Sequence, residues 1–155
     1  MALPSTTKQA LEKIFGDRVR FDEPMAAHTW LKIGGPADAL VMPETQAELF
    51  DLLRHLEAEG IAWFVIGGGT NLLVGDAGIR AVVVDLSKGF AEIGIERRDN
   101  EQVMVRAGGG ARLRLLCRYA VENGLAGMLF ATGIPGTVGG AAVMNAGTSR
   151  GDMAS

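Results

Sequence analysis

The sequence has few of the residues that cross-link, ligate or span. One cysteine, Cys117, rules out an internal disulfide. With only two histidines, His28 and His55, and no CxxC pair, zinc has no ligand set, and no metal is expected. The longest apolar runs, residues 61–66 and 81–84, fall far short of the roughly 20 residues of a membrane span. Residues 1–10 lack the apolar stretch of a signal peptide, so a cytoplasmic protein without membrane contact is expected. Basic excess is missing too: 15 basic against 18 acidic side chains leave a net charge of -3, which argues against nucleic acid as a partner. A charge this small beside 48% apolar residues also excludes intrinsic disorder.

What the chain has in excess is glycine, 22 in 155 residues, about 14% where roughly 7% is usual. No period of three suggests collagen, and the length suits a single domain with its own core.

Residues 5–15 (STTKQALEKIF) carry Leu11, Ile14 and Phe15 at helical spacing before Gly16, which predicts a short helix. A short strand over 37–42 (ADALVM) precedes the clearest helix, 45–59. Thr45 and Glu48 form a capping box there, Leu49, Leu52, Leu53 and Leu56 make one stripe, and Gly60 is the stop. Residues 61–66 (IAWFVI) read as a strand buried on both faces. Strand, helix and strand form a βαβ unit, with parallel strands and a right-handed crossover expected. A third strand, 81–85 (AVVVD), follows. Alternation over 91–97 and 102–108, around polar Arg98, Asp99, Asn100 and Glu101, predicts an antiparallel hairpin. Residues 111–123 form the next helix, with Leu113, Leu116, Cys117, Ala120 and Val121 inward, Arg112, Arg114 and Arg118 on the solvated face, and Gly124 as stop. The fold class is α+β, a small parallel βαβ subdomain beside an antiparallel one.

Four glycines precede residue 67 and 18 follow from there, clustered at element ends. GGGTNLLV, residues 67–74, lies directly behind an apolar strand. Glycines there expose amide N–H groups to an anion, and Thr70 and Asn71 add side-chain donors. A dinucleotide fingerprint fails because Leu72 stands at the third glycine position and residues 70–80 are too short for a crossover helix. The P-loop fails for want of GK[ST]. Taken alone, GGGTN is also an ordinary tight turn. A second cluster, GIPGTVGGAAVMNAG at 133–147, pairs a Pro-Gly turn with small residues that leave room for a flat ligand, or for close helix packing. A third, Gly108 to Gly110, is taken as a strand-to-helix turn.

TWLKIGGPAD (29–38), IGGGTNLLVGDAGIRAVVVDL (66–86), AGGGARL (107–113) and GLAGMLFATGIPGTVGGAAVMNAG (124–147) together resemble the FAD-binding part of the UDP-N-acetylenolpyruvoylglucosamine reductases, in order over most of 25–147. The resemblance implies the FAD-binding fold of the vanillyl-alcohol-oxidase-like flavoproteins, with noncovalent FAD between the two subdomains. Covalent relatives attach FAD through a loop histidine, where this chain has Thr70 and Asn71. It places the FAD diphosphate on Gly67, Gly69, Thr70, Asn71 and Leu72. Gly133, Ile134, Gly136, Thr137, Gly139, Gly140 and Val143 line the flavin, with Gly147 near its end. Thr29 and Ile33 stand close by, and Trp30 is expected to be a core anchor. It further implies NADPH as hydride donor, the enolpyruvyl ether of UDP-N-acetylglucosamine as substrate, UDP-N-acetylmuramate as product, and a role in peptidoglycan synthesis.

The family's catalytic arginine, serine and glutamate are expected beyond Ser155, and none is assigned within the chain. Domain boundaries are read as a helical segment at 1–24, the FAD-binding domain at 25–147, and the beginning of a substrate domain at 148–155. GTSRGD, 147–152, departs from the family's aromatic turn there. Arg150 matches no motif, and His28 is read as a packing residue. A flavin subunit of a molybdenum hydroxylase and a non-catalytic nucleotide-binding module are the alternative readings.

Overall fold

A computed structural model describes residues 3–99 and 102–154. Helix α1 spans Ser5–Phe15 and α2 spans Gln46–Ala58. Both pack on one face of a four-stranded sheet made of β1 (Val19–Pro24), β2 (Pro36–Val41), β3 (Trp63–Ile66) and β4 (Ile79–Asp85), in the order β1-β2-β4-β3. β2, β4 and β3 are parallel, and β1 runs antiparallel to β2. The βαβ unit read from sequence is present, with β4 inserted between its two strands. Residues 3–24 hold more than the expected helix, because β1 ties this segment into the sheet.

The sheet's core alternates across its plane. Val82 and Val84 meet Leu11, Phe15, Leu52 and Leu56 on the helical face, while Val83, Leu40 and Met25 pack on the other. Burial on both faces explains the unbroken apolar run of β4. It does not hold for β3. Trp63, Phe64 and Val65 are 39%, 43% and 40% exposed, because β3 is the sheet's edge and carries no helix over its outer side.

Thr45 caps α2 by accepting the Glu48 N–H, and Glu48 reaches back to take the Glu44 N–H at 2.8 Å. The same carboxylate receives both terminal nitrogens of Arg18 at 2.7 Å. These hydrogen bonds, Arg18 first and the Glu44 N–H next, hold the Glu48 carboxyl down at about 2.

The second half begins with the hairpin β5 (Ile93–Arg98) and β6 (Val103–Ala107), bulged between Ile95 and Arg97; Asn100 and Glu101 of its turn lie outside the described residues. Helix α3 (Leu113–Glu122) packs Leu113, Leu116 and Ala120 inward, starting two residues later than the sequence predicts. Val121, expected inside, is 78% exposed. The short α4 (Val138–Val143) and a minimal hairpin, β7 (Gly147–Thr148) with β8 (Gly151–Asp152), follow.

Candidate functional site

The two glycine clusters face each other across the junction of the two halves. Residues 67–72 leave the C-terminal end of β3, where open parallel sheets usually bind ligands. Opposite them, residues 136–139 are pinned to the approach of α3. Leu113 N–H donates to the Gly136 carbonyl at 3.0 Å, Val138 N–H to that of Ala111 at 2.8 Å, and Gly139 N–H to that of Gly109 at 2.9 Å. Thr137 caps α4 by accepting the Gly140 N–H at 3.3 Å.

Between them lies a cavity of about 620 Å³. Gly67, Gly69, Thr70, Asn71, Leu72, Ile134, Gly136, Thr137, Gly139, Gly140 and Val143 line it. Among the described residues, no protein acceptor takes the backbone N–H groups of residues 67–71, nor those of Gly136 and Thr137. Backbone donors left open on a groove wall are the complement of an anion.

Glycine is needed here on steric grounds. Gly69 adopts φ +63°, and a Cβ there would run into the His28 carbonyl oxygen. Gly136 adopts φ +111°, and its Cβ would stand 2.9 Å from Thr70 Oγ1. Part of the glycine excess therefore serves contact between the loops themselves. A Cβ on Gly68 would lie 3.0 Å from Gly136 Cα, so the two loops close against each other with no room for side chains.

The cavity adds residues that the sequence reading missed. Phe64 and Val65 line it because β3 is an edge, and Leu86, Ala141, Met144 and Ala146 complete its apolar walls. Gly109, set aside with its neighbours as a turn, also lines it, whereas Gly108 and Gly110 do pack on the backbone of Phe90 and Leu86. Four predicted residues fall outside, Thr29 and three others. Gly133 sits in a turn at φ +86°, Gly147 belongs to β7, and Ile33 is 48% exposed, its carbonyl taken by the Thr29 hydroxyl at 2.8 Å.

Thr29 lines a smaller, adjoining recess of about 260 Å³ behind Gly67 and Gly68. The strap that carries it buttresses the loop, with Trp30 N–H donating to the Gly69 carbonyl at 3.0 Å. Trp30 is no core anchor, being 69% exposed, since its backbone rather than its ring makes the contact. His28 Nε2 lies 2.8 Å from Glu23 Oε1 and so holds the strap to β1. Burial pushes the Glu23 carboxyl up, but the hydrogen bonds from His28 and Arg20 outweigh it and leave it below its ordinary value. Burial raises the Cys117 thiol, which touches neither cavity. Among the described residues no cluster of His, Cys, Asp or Glu is placed to hold a metal ion, and no helix is long and apolar enough to cross a membrane.

Residues 37–155 match the family described as FAD binding domain. The chain belongs to that family. This FAD binding domain is 53% identical over 146 residues to the UDP-N-acetylenolpyruvoylglucosamine reductase of Desulfosudis oleivorans, covering 94% of the chain and 47% of that protein. It is 48% identical to the reductase of the same name from Heliobacterium modesticaldum, covering 84% of the chain and 40% of the relative. The domain thus spans about half the length of the curated relatives it matches.

Among solved structures, the UDP-N-acetylenolpyruvylglucosamine reductase of Thermus caldophilus superposes with a TM-score of 0.66 at 37% identity, over 84% of this chain and 44% of that one. p-Cresol methylhydroxylase, at 20% identity and a TM-score of 0.56 over 80% of this chain and 26% of that one, shares the fold alone. The α+β reading of the FAD-binding fold holds.

Proposed function

We propose that this domain holds FAD noncovalently for a reductase that converts the enolpyruvyl ether of UDP-N-acetylglucosamine to UDP-N-acetylmuramate, with NADPH as hydride donor, in cytoplasmic peptidoglycan synthesis. The observation that carries it is the groove between the two glycine loops, whose N–H groups lack protein acceptors and whose walls are glycine and apolar side chains. Likeness to the reductases supplies the substrate class.

Residues 67–72 would cradle the diphosphate, with Thr70 and Asn71 adding side-chain donors. Ile134, Val143 and Met144 offer a dry face to a flat ring system. Bound there, FAD supplies the two-electron hydride chemistry that no side chain of this domain provides. The domain's own part is to fix the cofactor's position and shield one side of it from water. We assign stabilisation of charge at the enolpyruvyl carboxylate, and protonation of the product carbon, to groups outside this domain, as the resemblance implies.

The purified chain should take up FAD, turn yellow and lose its colour on acid precipitation. It should not oxidise NADPH with the UDP-enolpyruvyl sugar by itself. Colour retained by the acid pellet would refute noncovalent binding, and turnover by the chain alone would refute the division of labour.

A further inference from the structure

The peptide between β1 and β2 does more than join two strands. Residues 25–35 form a strap that folds back on itself. Met25 N–H donates to the Gly35 carbonyl and Ala26 N–H to that of Gly34, both at 3.2 Å, and the Thr29 hydroxyl donates to the Ile33 carbonyl at 2.8 Å. Met25 is wholly buried at its root, and Lys32 turns the chain at φ +54°. Both limbs grip the loop after β3. On the outgoing limb the backbone N–H of Trp30 donates to the Gly69 carbonyl at 3.0 Å, and the His28 carbonyl stands so close to Gly69 that no Cβ fits between them. On the returning limb Gly35 N–H donates to the Gly75 carbonyl at 3.0 Å, and a Cβ on Gly34 would meet the Val74 side chain at 2.8 Å. The strap therefore sets the loop from both of its ends.

A pair of side chains fixes the outgoing limb to the sheet. Glu23 lies in β1, where it is paired with Ala37 of β2, and its Oε1 meets His28 Nε2 at 2.8 Å with only 14% and 18% of the two side chains exposed. Arg20 Nη1 donates to the same oxygen at 3.1 Å. Burial would raise the Glu23 carboxyl, but the hydrogen bonds from His28 and Arg20 outweigh it, so the ionised form holds His28. Neither Glu23 nor His28 lines the larger groove. A charge-assisted hydrogen bond here runs from the sheet to the limb that bears on Gly69. A loop that must present its N–H groups to an anion binds well only when a second layer of contacts holds those groups in place.

We propose that Glu23 and His28 are positioning residues for the cofactor, holding the strap so that residues 67–72 stand in place before the diphosphate arrives. This role rests on the FAD reading of the groove and adds the support on which the loop's affinity depends.

The test is fluorescence titration of FAD into the wild-type chain and into Glu23→Leu, His28→Leu, their double variant, Glu23→Gln and His28→Gln, with amide exchange on the same samples before FAD is added. Glutamine keeps an acceptor at position 23 and a donor at position 28. The Kd for FAD should rise at least about tenfold in both leucine variants and stay within about threefold of wild type in the glutamine variants. The double variant should bind within about twofold of the weaker leucine variant, since either change already breaks the same contact. The backbone N–H of Trp30, which reports the strap's hold on Gly69, should exchange faster in the leucine variants, while residues 82–84 of β4 stay as slow as in wild type.

Unchanged FAD affinity in Glu23→Leu would overturn the proposal. So would losses that add in the double variant, losses that glutamine does not rescue, or exchange that quickens at residues 82–84 together with Trp30, because each marks a disturbed fold rather than a displaced loop. Flavin absorbance of the purified chain, read separately, decides the FAD reading itself. A wild-type chain that takes up no FAD overturns that reading and this role with it, whereas FAD uptake that is indifferent to Glu23 overturns the role alone.

Discussion

The two halves of the domain are built to different standards of burial. In the mixed sheet Leu40, Val41, Val82, Val83 and Val84 are wholly buried, and helices α1 and α2 seal one face. Among the described residues of the half made by β5, β6, α3 and α4, the buried apolar side chains are mostly alanines, Ala111, Ala120, Ala131 and Ala141 beside Leu113 and Leu116, while Leu129, Val143 and Met144 are 61%, 85% and 56% exposed. The first half can stand on hydrophobic burial alone. The second has exchanged side-chain volume for glycine backbone and turns part of its apolar surface toward the groove, so a ligand in the groove should stabilise it more than it stabilises the sheet.

The largest effect expected from this contrast is in the sheet. Leu40→Ala, at a site closed on all sides, should cost about 3–5 kcal/mol by urea unfolding, with or without FAD. A cost that FAD largely removes would mean that the sheet too depends on the ligand.

Next comes the loop. Gly69→Ala meets both a left-handed backbone and the His28 carbonyl. FAD affinity should fall about a hundredfold, roughly 2.7 kcal/mol, while the circular dichroism of the sheet stays unchanged. Unaltered affinity would detach residues 67–72 from the cofactor.

Acid gives a smaller test confined to the first half. The Glu48 carboxyl sits at about 2 in the folded chain, against an ordinary 4.5, so its contribution is complete above pH 4.5 and is lost as pH falls toward 2. Glu48→Gln should flatten that part of the fall in the urea midpoint between pH 5 and pH 3; a fall of unchanged steepness would deny the Arg18 pairing a role.

Smallest of all, Val121→Lys should shift stability by no more than about 0.5 kcal/mol, because the side chain faces water. A loss of several kcal/mol would restore Val121 to the core.

Legibility followed the same division. Where periodicity and caps speak, as at α1, α2 and the β5–β6 hairpin, the elements were readable to within a residue or two. β1 was missed although Val19, Arg20, Phe21 and Asp22 alternate, because the run is short and closes on Glu23 and Pro24; pairing with β2 makes it a strand. The exposure of β3 was not readable, since an apolar run looks the same at a sheet's centre and at its edge. Glycine and threonine positions of the groove were legible because only small residues and donors suit a close backbone approach. Phe64, Leu86 and Met144 were not, because an apolar residue that lines a groove carries the same letter as one that fills a core. Trp30 misled in the opposite sense, since its large aromatic ring suggested a core anchor.

Equilibrium titration of FAD into the wild-type chain and into Gly136→Val, followed by flavin fluorescence with amide hydrogen exchange on the same samples, tests the central claim most directly. Saturable one-to-one binding by wild type is predicted. It should bring slow exchange at residues 67–72 and 136–143 while β2 and β4 are already protected without FAD, and Gly136→Val should lose the binding. Binding that survives in Gly136→Val, or FAD that protects neither loop, would contradict the assignment of the groove.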